Sequence, residues 1–310
     1  MTGDRHPQLG ARVAFAAPLD LRASLAPLGR AGDDLIDRFD GSTLVRTLRL
    51  GPAELAVGYA ADISGDPDHP TLTLHTAPGG TAQATDVEAG LRASLLTDRT
   101  ALAELTQADE RVGRLARRGR GIVPVLFGDP FSALVRSISA QQVNLRWAAV
   151  VRARLAQRYG KRHEVGQWAV WSLHPAPLAS ARFEDLRTSV QLTGAKAVAL
   201  VGCARAALAG ELHLADLAAL TDEQLIAHLT GLRGIGRWSA EWFLARTLGR
   251  PRVVAGDLGV RKAVGRLYET PAIPSELEVR RLTGHWGAAA THAQALALHD
   301  FALSPSTPAR

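Results

Sequence analysis

One cysteine, one methionine and three lysines in 310 residues are unusual shortages, and each excludes something. A lone Cys203 rules out an intramolecular disulfide framework, a four-cysteine zinc site and a cysteine-ligated iron–sulfur cluster. It lies in the apolar run Val198–Leu208 and reads as a buried structural thiol. Lysine occurs only as Lys161, Lys196 and Lys262, so arginine supplies the rest of the 36 basic side chains. A high-GC coding bias accounts for that imbalance, yet any imine chemistry has just three candidate amines. No apolar run reaches the roughly 18 residues of a membrane helix. The polar stretch Met1–Gly10 carries no signal-peptide pattern, so a soluble cytoplasmic protein is expected.

Hydrophobic residues are 46% and charged residues 21%, an ordinary globular composition with enough chain for two or three compact units. The net charge of +6 favours a polyanionic partner such as nucleic acid.

Two regions read differently. Leu55, Val57, Tyr59, Ala61 and Ile63 alternate with the period of a half-buried strand, flanked by the β-rich runs Thr43–Leu50 and Thr71–Thr76. Turn signals at Gly51-Pro52 and across Gly65–Pro70 predict an antiparallel meander, with Leu21–Asp37 as a helix over one face. Pro78-Gly79-Gly80 reads as a boundary. From about residue 85 the period is helical: Phe131, Leu134, Val135 and Ile138; then Trp147, Val150, Val151 and Leu155; then Leu225, Ile226, Leu229 and Leu232. Pro175-Ala176-Pro177, Gly194, Gly210 and Gly249 divide this part into several helices. The expected fold is mainly α: a small α+β domain over 1–84, then an all-helical core over 85–310.

The run Leu232-Arg233-Gly234-Ile235-Gly236-Arg237-Trp238-Ser239-Ala240 follows one apolar helix and opens another. Two glycines two apart permit a tight hairpin whose backbone can approach a ligand closely. Amides from Gly236 onward would then face a phosphate at a helix N-terminus, with Arg233 and Arg237 beside it. Such contacts hold DNA in register without choosing a base. The same glycines also fit a plain helix–turn–helix corner. Further on, Val253-Val254-Ala255-Gly256-Asp257-Leu258-Gly259-Val260 runs into another helix. Asp257 reads as an N-cap, and a carboxylate so placed also suits stabilising a developing positive charge.

The hairpin, its spacing to Asp257, and the upstream Asp129-Pro130-Phe131…Ile138-Ser139-Ala140-Gln141-Gln142-Val143 resemble the helix–hairpin–helix (HhH-GPD) DNA glycosylases. The 3-methyladenine DNA glycosylase II branch is the nearest in pattern. The resemblance covers about residues 110 to 303 well and the β-rich segment more weakly. It implies two helical lobes with an active-site cleft between them, and duplex DNA with alkylated bases as the partner of a monomer. It further implies that Asp257 is the catalytic carboxylate, facing the deoxyribose of a flipped-out nucleotide. Bifunctional relatives carry a lysine where this chain has Trp238, so base excision without strand cleavage is implied. Trp238 and Trp242 lie at i, i+4 and could bracket a cationic base or simply be core. Trp238, Trp242, Leu258, Trp286 and Phe131 are the implied base pocket. Arg233, Gly234, Ile235, Gly236, Arg237 and Ser239 are the implied DNA-binding hairpin, and Gln142 the side chain inserted into the gap left by the flipped base. For Gln142, a solvated position at a helix junction fits equally.

Two departures from the branch stand out: Gly287-Ala288-Ala289-Ala290 follows Trp286 where proline and bulky residues are usual, and Leu258 replaces an aromatic residue. Both remove bulk, which suggests a wider pocket. His285, His292 and His299 recur every seven residues, about 10.5 Å apart along a helix, too far for one ion to bridge. No cofactor or catalytic metal is expected, although hairpin carbonyls in this family can hold a structural cation. A uracil or hypoxanthine specificity on the same fold, or a non-catalytic DNA-binding module, would fit the same scaffold.

Overall fold

The computed structural model describes residues 10–50, 55–76 and 81–304. The N-terminal stretch before Gly10, the Gly51-Pro52 turn and the Pro78-Gly79-Gly80 boundary lie outside them. Five antiparallel strands, β1 (Ala11–Ala14), β2 (Arg38–Phe39), β3 (Thr43–Leu50), β4 (Leu55–Ser64) and β5 (Thr71–Thr76), form a sheet in the order β1-β5-β4-β3-β2. Register follows the alternation: Leu44 pairs with Ala61 and Val45 with Ala60. Because side chains alternate between faces, Leu44, Tyr59, Ala61 and Ile63 enter one core while Val45 and Ala60 enter another. Helix α1 (Leu21–Gly29) is capped by Asp20, whose carboxylate accepts the Ala23 N–H at 2.8 Å. It stops at Gly29, short of the expected Asp37. Asp33 and Asp34 instead fold the following residues by accepting backbone N–H groups of Leu35, Ile36 and Asp37.

Helices α2 (Thr81–Ala93), α3 (Thr100–Ala108) and α4 (Glu110–Arg118) lead into α5 (Pro130–Ala140) and α6 (Leu145–Tyr159). A two-stranded hairpin, β6 (Gly160–Val165) and β7 (Trp168–Leu173), then interrupts what was expected to be an all-helical region. Its Val165 and Val170 pack on Val45 and Ala60, covering the second face of the N-terminal sheet. Helices α7 (Pro175–Ala179), α8 (Phe183–Thr188), α9 (Gly194–Leu208), α10 (Leu214–Ala219), α11 (Asp222–Gly231) and α12 (Arg237–Arg246) complete one lobe. Helices α13 (Leu258–Leu267), α14 (Glu276–Thr283), a 3-10 turn (Gly284–Ala289) and α15 (Ala290–Leu303) return to α3 and α4 as the other. The chain is mainly α with a small antiparallel sheet, as its periodicities indicate.

Two hydrophobic cores follow this division. One joins the sheet to α5, α6, α9, α11 and α12; the other joins α3 and α4 to α13, α14 and α15. Cys203 is fully buried in the first, and burial pushes its thiol up to about 12, which leaves it inert. No helix among the described residues is long and apolar enough to cross a membrane.

Candidate active site

The hairpin between α11 and α12 is built from backbone constraints. Ile235 donates its N–H to the Leu232 carbonyl at 3.0 Å, closing the turn, and its side chain is 4% exposed, an anchor in the first core. Gly234 has φ +87°, and a Cβ there would lie 2.5 Å from Ala199 Cβ on α9. Only glycine meets both demands. Gly236 caps α12 with no side chain to accept from the first-turn amides, and a Cβ built on it meets nothing within 4 Å. The first-turn amides of α12 therefore face open space without a side-chain cap.

Arg233 and Arg237 are exposed beside these amides. Arg237 is also tethered: its Nε donates to Glu241 at 3.0 Å, while Arg280 of α14 donates to the same buried carboxylate at 2.8 and 3.0 Å. Ser239, expected to meet DNA, has a side chain 1% exposed that points inward.

Gln141, at the end of α5, donates from Nε2 to the Gly234 carbonyl at 2.9 Å. That bond ties the α5–α6 connection to the hairpin. The neighbouring Gln142 is exposed with φ +53°, a conformation seldom adopted by residues other than glycine. Its side chain stands clear of the fold at a backbone position that stores strain.

Asp257 sits where the second lobe begins. As N-cap of α13 its Oδ1 accepts the Val260 N–H at 2.9 Å. Its Oδ2 accepts the indole N–H of Trp238 at 3.2 Å. The carboxylate is thus aimed from both sides, half-buried, and in the positive field of a helix N-terminus. Such a group can stabilise a cationic sugar without first reorganising.

The implied base pocket is only partly assembled. Trp238 reaches Asp257, and Leu258, 54% exposed, projects beside it. Trp242 does not form a second matching wall; it stacks on Phe127 with centroids 5.4 Å apart and planes at 28°. Phe131 and Trp286 are 2% and 1% exposed, so neither offers a ring face to a base. Phe131 is locked in the first core by the apolar period of α5. Trp286 belongs to the second core, and its indole donates to the Tyr268 hydroxyl at 2.9 Å. Tyr268 in turn donates to Asp109 in a polar cavity of about 440 Å³ that also includes His285. That cavity lies past the far end of α13 from Asp257. Ala289 and Ala290 are buried too and fill core positions, while Gly287 and Ala288 before them are exposed. The three periodic histidines go separate ways: His285 to Asp109, His292 to the Leu96 carbonyl, and the half-buried His299 to a position where its Nδ1 has no partner among the described residues.

Sequence reading passed over Gln141 as a positioning residue, although it adjoins the chosen Gln142. It also passed over Glu241, whose only signal was a carboxylate four residues after Arg237 on a helix.

Residues 135–288 match the family model described as HhH-GPD superfamily base excision DNA repair protein. Over 193 residues the chain is 31% identical to DNA-3-methyladenine glycosylase 2 of Escherichia coli, covering 62% of this chain and 67% of that one. It is 25% identical over 190 residues to DNA-3-methyladenine glycosylase of Bacillus subtilis, covering 61% and 63%. The chain spans about half to two thirds of the length of the curated relatives it matches. In fold it is similar to the 3-methyladenine DNA glycosylase from Archaeoglobus fulgidus, with a TM-score of 0.79 at 22% identity, covering 94% of this chain and 98% of that one. The chain belongs to the HhH-GPD superfamily of base excision DNA repair proteins.

Proposed function

We propose that this protein is a monofunctional DNA glycosylase that removes alkylated bases, of the N3-methyladenine and N7-methylguanine type, from duplex DNA. The observation that carries the reading is the Asp257 carboxylate, held by the Trp238 indole and the α13 amide, one lobe away from an open-faced hairpin. The relatives named as 3-methyladenine glycosylases point to the same substrate class.

In this reading the hairpin amides, Arg233 and Arg237 hold a phosphate, and Gln142 enters the gap left by a flipped nucleotide. Asp257 faces the deoxyribose and stabilises positive charge at C1′ as the glycosidic bond breaks and water adds. An N3- or N7-alkylated purine leaves as a neutral base, so no general acid is required. Trp238 cannot form an imine, and Lys196 donates to the Ser139 carbonyl at 3.1 Å. Strand cleavage by an amine nucleophile therefore has no group at this position. The hairpin carbonyls of Leu232 and Gly234 each accept one N–H and keep a second lone pair, which fits a structural cation.

Release of free base from methylated duplex DNA by wild type and by Asp257→Asn tests the assignment. The expected result is release by wild type alone, without strand nicking and without a borohydride-trapped adduct. Equal release by the two proteins would falsify the role of Asp257.

A further inference from the structure

We infer that Arg246 is a specificity-determining donor of the base pocket and reads a carbonyl oxygen on the flipped base. The inference deepens the glycosylase reading and rests on it.

Trp238, Trp242 and Arg246 follow at i, i+4 and i+8 on α12, a broad face about 12 Å long. Trp238 meets Asp257 at one end. Trp242 stacks on Phe127, and Arg246 lies over the same Phe127 ring with its Cζ 5.5 Å from the centroid. Two more guanidiniums share that ring, Arg136 at 4.7 Å and Arg46 at 5.3 Å.

The cations differ in how they are satisfied. Arg46 donates to Asp37 at 2.6 Å and also to the Leu126 carbonyl. Arg136 pairs with Asp34 and Asp37, and Arg152 with Asp34 at 2.8 Å and Ser139 at 3.1 Å. Both carboxylates are thereby shared among three arginines. The main-chain carbonyl of Arg246 accepts the Phe127 N–H at 2.8 Å, but its guanidinium has no hydrogen bond or ion pair among the described residues, and its Nε is shielded from solvent without a partner. Burial, with Arg136 and Arg46 adding repulsion, brings its guanidinium down to about 10. An Nε–H shielded without an acceptor is costly to keep, while the residue is only half-buried and its Nη groups are not enclosed in the same way, so the guanidinium can still be approached.

What would satisfy it is an acceptor delivered from outside. A nucleotide flipped towards Asp257 brings its base along this face of α12, where a guanidinium suits a ring carbonyl such as the O6 of a guanine. N7-methylguanine carries that oxygen; N3-methyladenine does not. A charge-assisted bond of this kind is worth at least about tenfold in discrimination.

Both bases are released from the same methylated duplex, so one assay reads both. For Arg246→Met we expect kcat/KM for N7-methylguanine to fall at least tenfold and that for N3-methyladenine to stay within about twofold. Arg246→Lys, which keeps one cationic donor, should recover part of the N7-methylguanine rate. Thermal melting of Arg246→Met should match or exceed wild type, since an unpaired cation has been removed. A parallel loss of both activities, with or without a lower melting temperature, overturns the proposal and makes Arg246 structural. Unchanged N7-methylguanine release, or a wild type that releases only N3-methyladenine, also overturns it. A wild type that releases neither base overturns the glycosylase reading itself.

Discussion

Trp238 donates its indole N–H to Asp257 Oδ2 at 3.2 Å, and the bond crosses from α12 in one lobe to the N-cap of α13 in the other. The second carboxylate oxygen is committed to the Val260 amide. Trp238→Phe keeps the ring and removes the donor. Base release should lose about tenfold in kcat with KM within twofold, because the bond aims the carboxylate and does not bind substrate. Steady-state kinetics on a methylated duplex checks this; a change confined to KM would move Trp238 to the binding surface.

Asp257 serves as helix cap and as the proposed charge stabiliser, and one substitution separates the two. Asp257→Asn leaves a carbonyl oxygen for the Val260 N–H but turns an amide NH2 towards the Trp238 indole, so stability should fall by about 1 kcal/mol while base release falls by at least about a hundredfold. Asp257→Ala loses both and should cost a further 1 kcal/mol or about that. Thermal melting beside a base-release assay gives the answer.

The two hairpin glycines should behave in opposite ways. Gly234→Ala places a methyl 2.5 Å from Ala199 Cβ at a positive φ, and a loss of roughly 1–3 kcal/mol is expected. Gly236→Ala meets open space at φ −98° and should leave the melting temperature within a degree or two. Its methyl would instead obstruct a backbone approaching the α12 amides, so duplex affinity should fall. Equal duplex affinity for wild type and Gly236→Ala would remove the hairpin from the interface.

Acid should loosen the junction between the sheet and α5. Burial opposes ionisation of Asp37, but Arg46 and Arg136 outweigh it and bring the carboxyl from its ordinary 3.8 to about 2. A carboxylate with a depressed folded value adds stability that is fully present above the unfolded value. That stability is lost as pH falls from about 4 towards 2. Melting temperature followed over this range should drop steeply for wild type. Asp37→Asn should start lower and give a flatter curve.

Much of this architecture is legible in residue order. The alternation from Leu55 to Ile63 gives β4, and the 3.6-residue period of Phe131, Leu134, Val135 and Ile138 gives α5, with all four side chains buried. The β6–β7 hairpin escaped because helices flank it. Its signal was slight: Gly166, at φ +56°, begins a two-residue turn, but the run before it is polar and the run after it apolar, with no alternation in either. At the site, Asp257 and the glycines are readable because backbone geometry dictates them locally. Trp242, Trp286 and Phe131 are not, because an aromatic side chain at helical spacing suits a core and a pocket equally. Which one it enters depends on Phe127 and Tyr268, far away in sequence. Arg246 could not be found by pattern at all, since its peculiarity is a guanidinium Nε without an acceptor among the described residues.

The β6–β7 hairpin fastens the N-terminal sheet to the lobe carrying Trp238, and Arg38 and Arg49 reinforce it by donating to the Ala169 and Leu173 carbonyls. Sheet and first lobe are thereby one mechanical body. The other body gathers α3, α4 and α13 to α15. The bond between indole and carboxylate crosses from one body to the other, as does the Arg280–Glu241 pair of α14 and α12. A movement of one body against the other would strain both contacts, and the emission of Trp238 would be a built-in gauge of it.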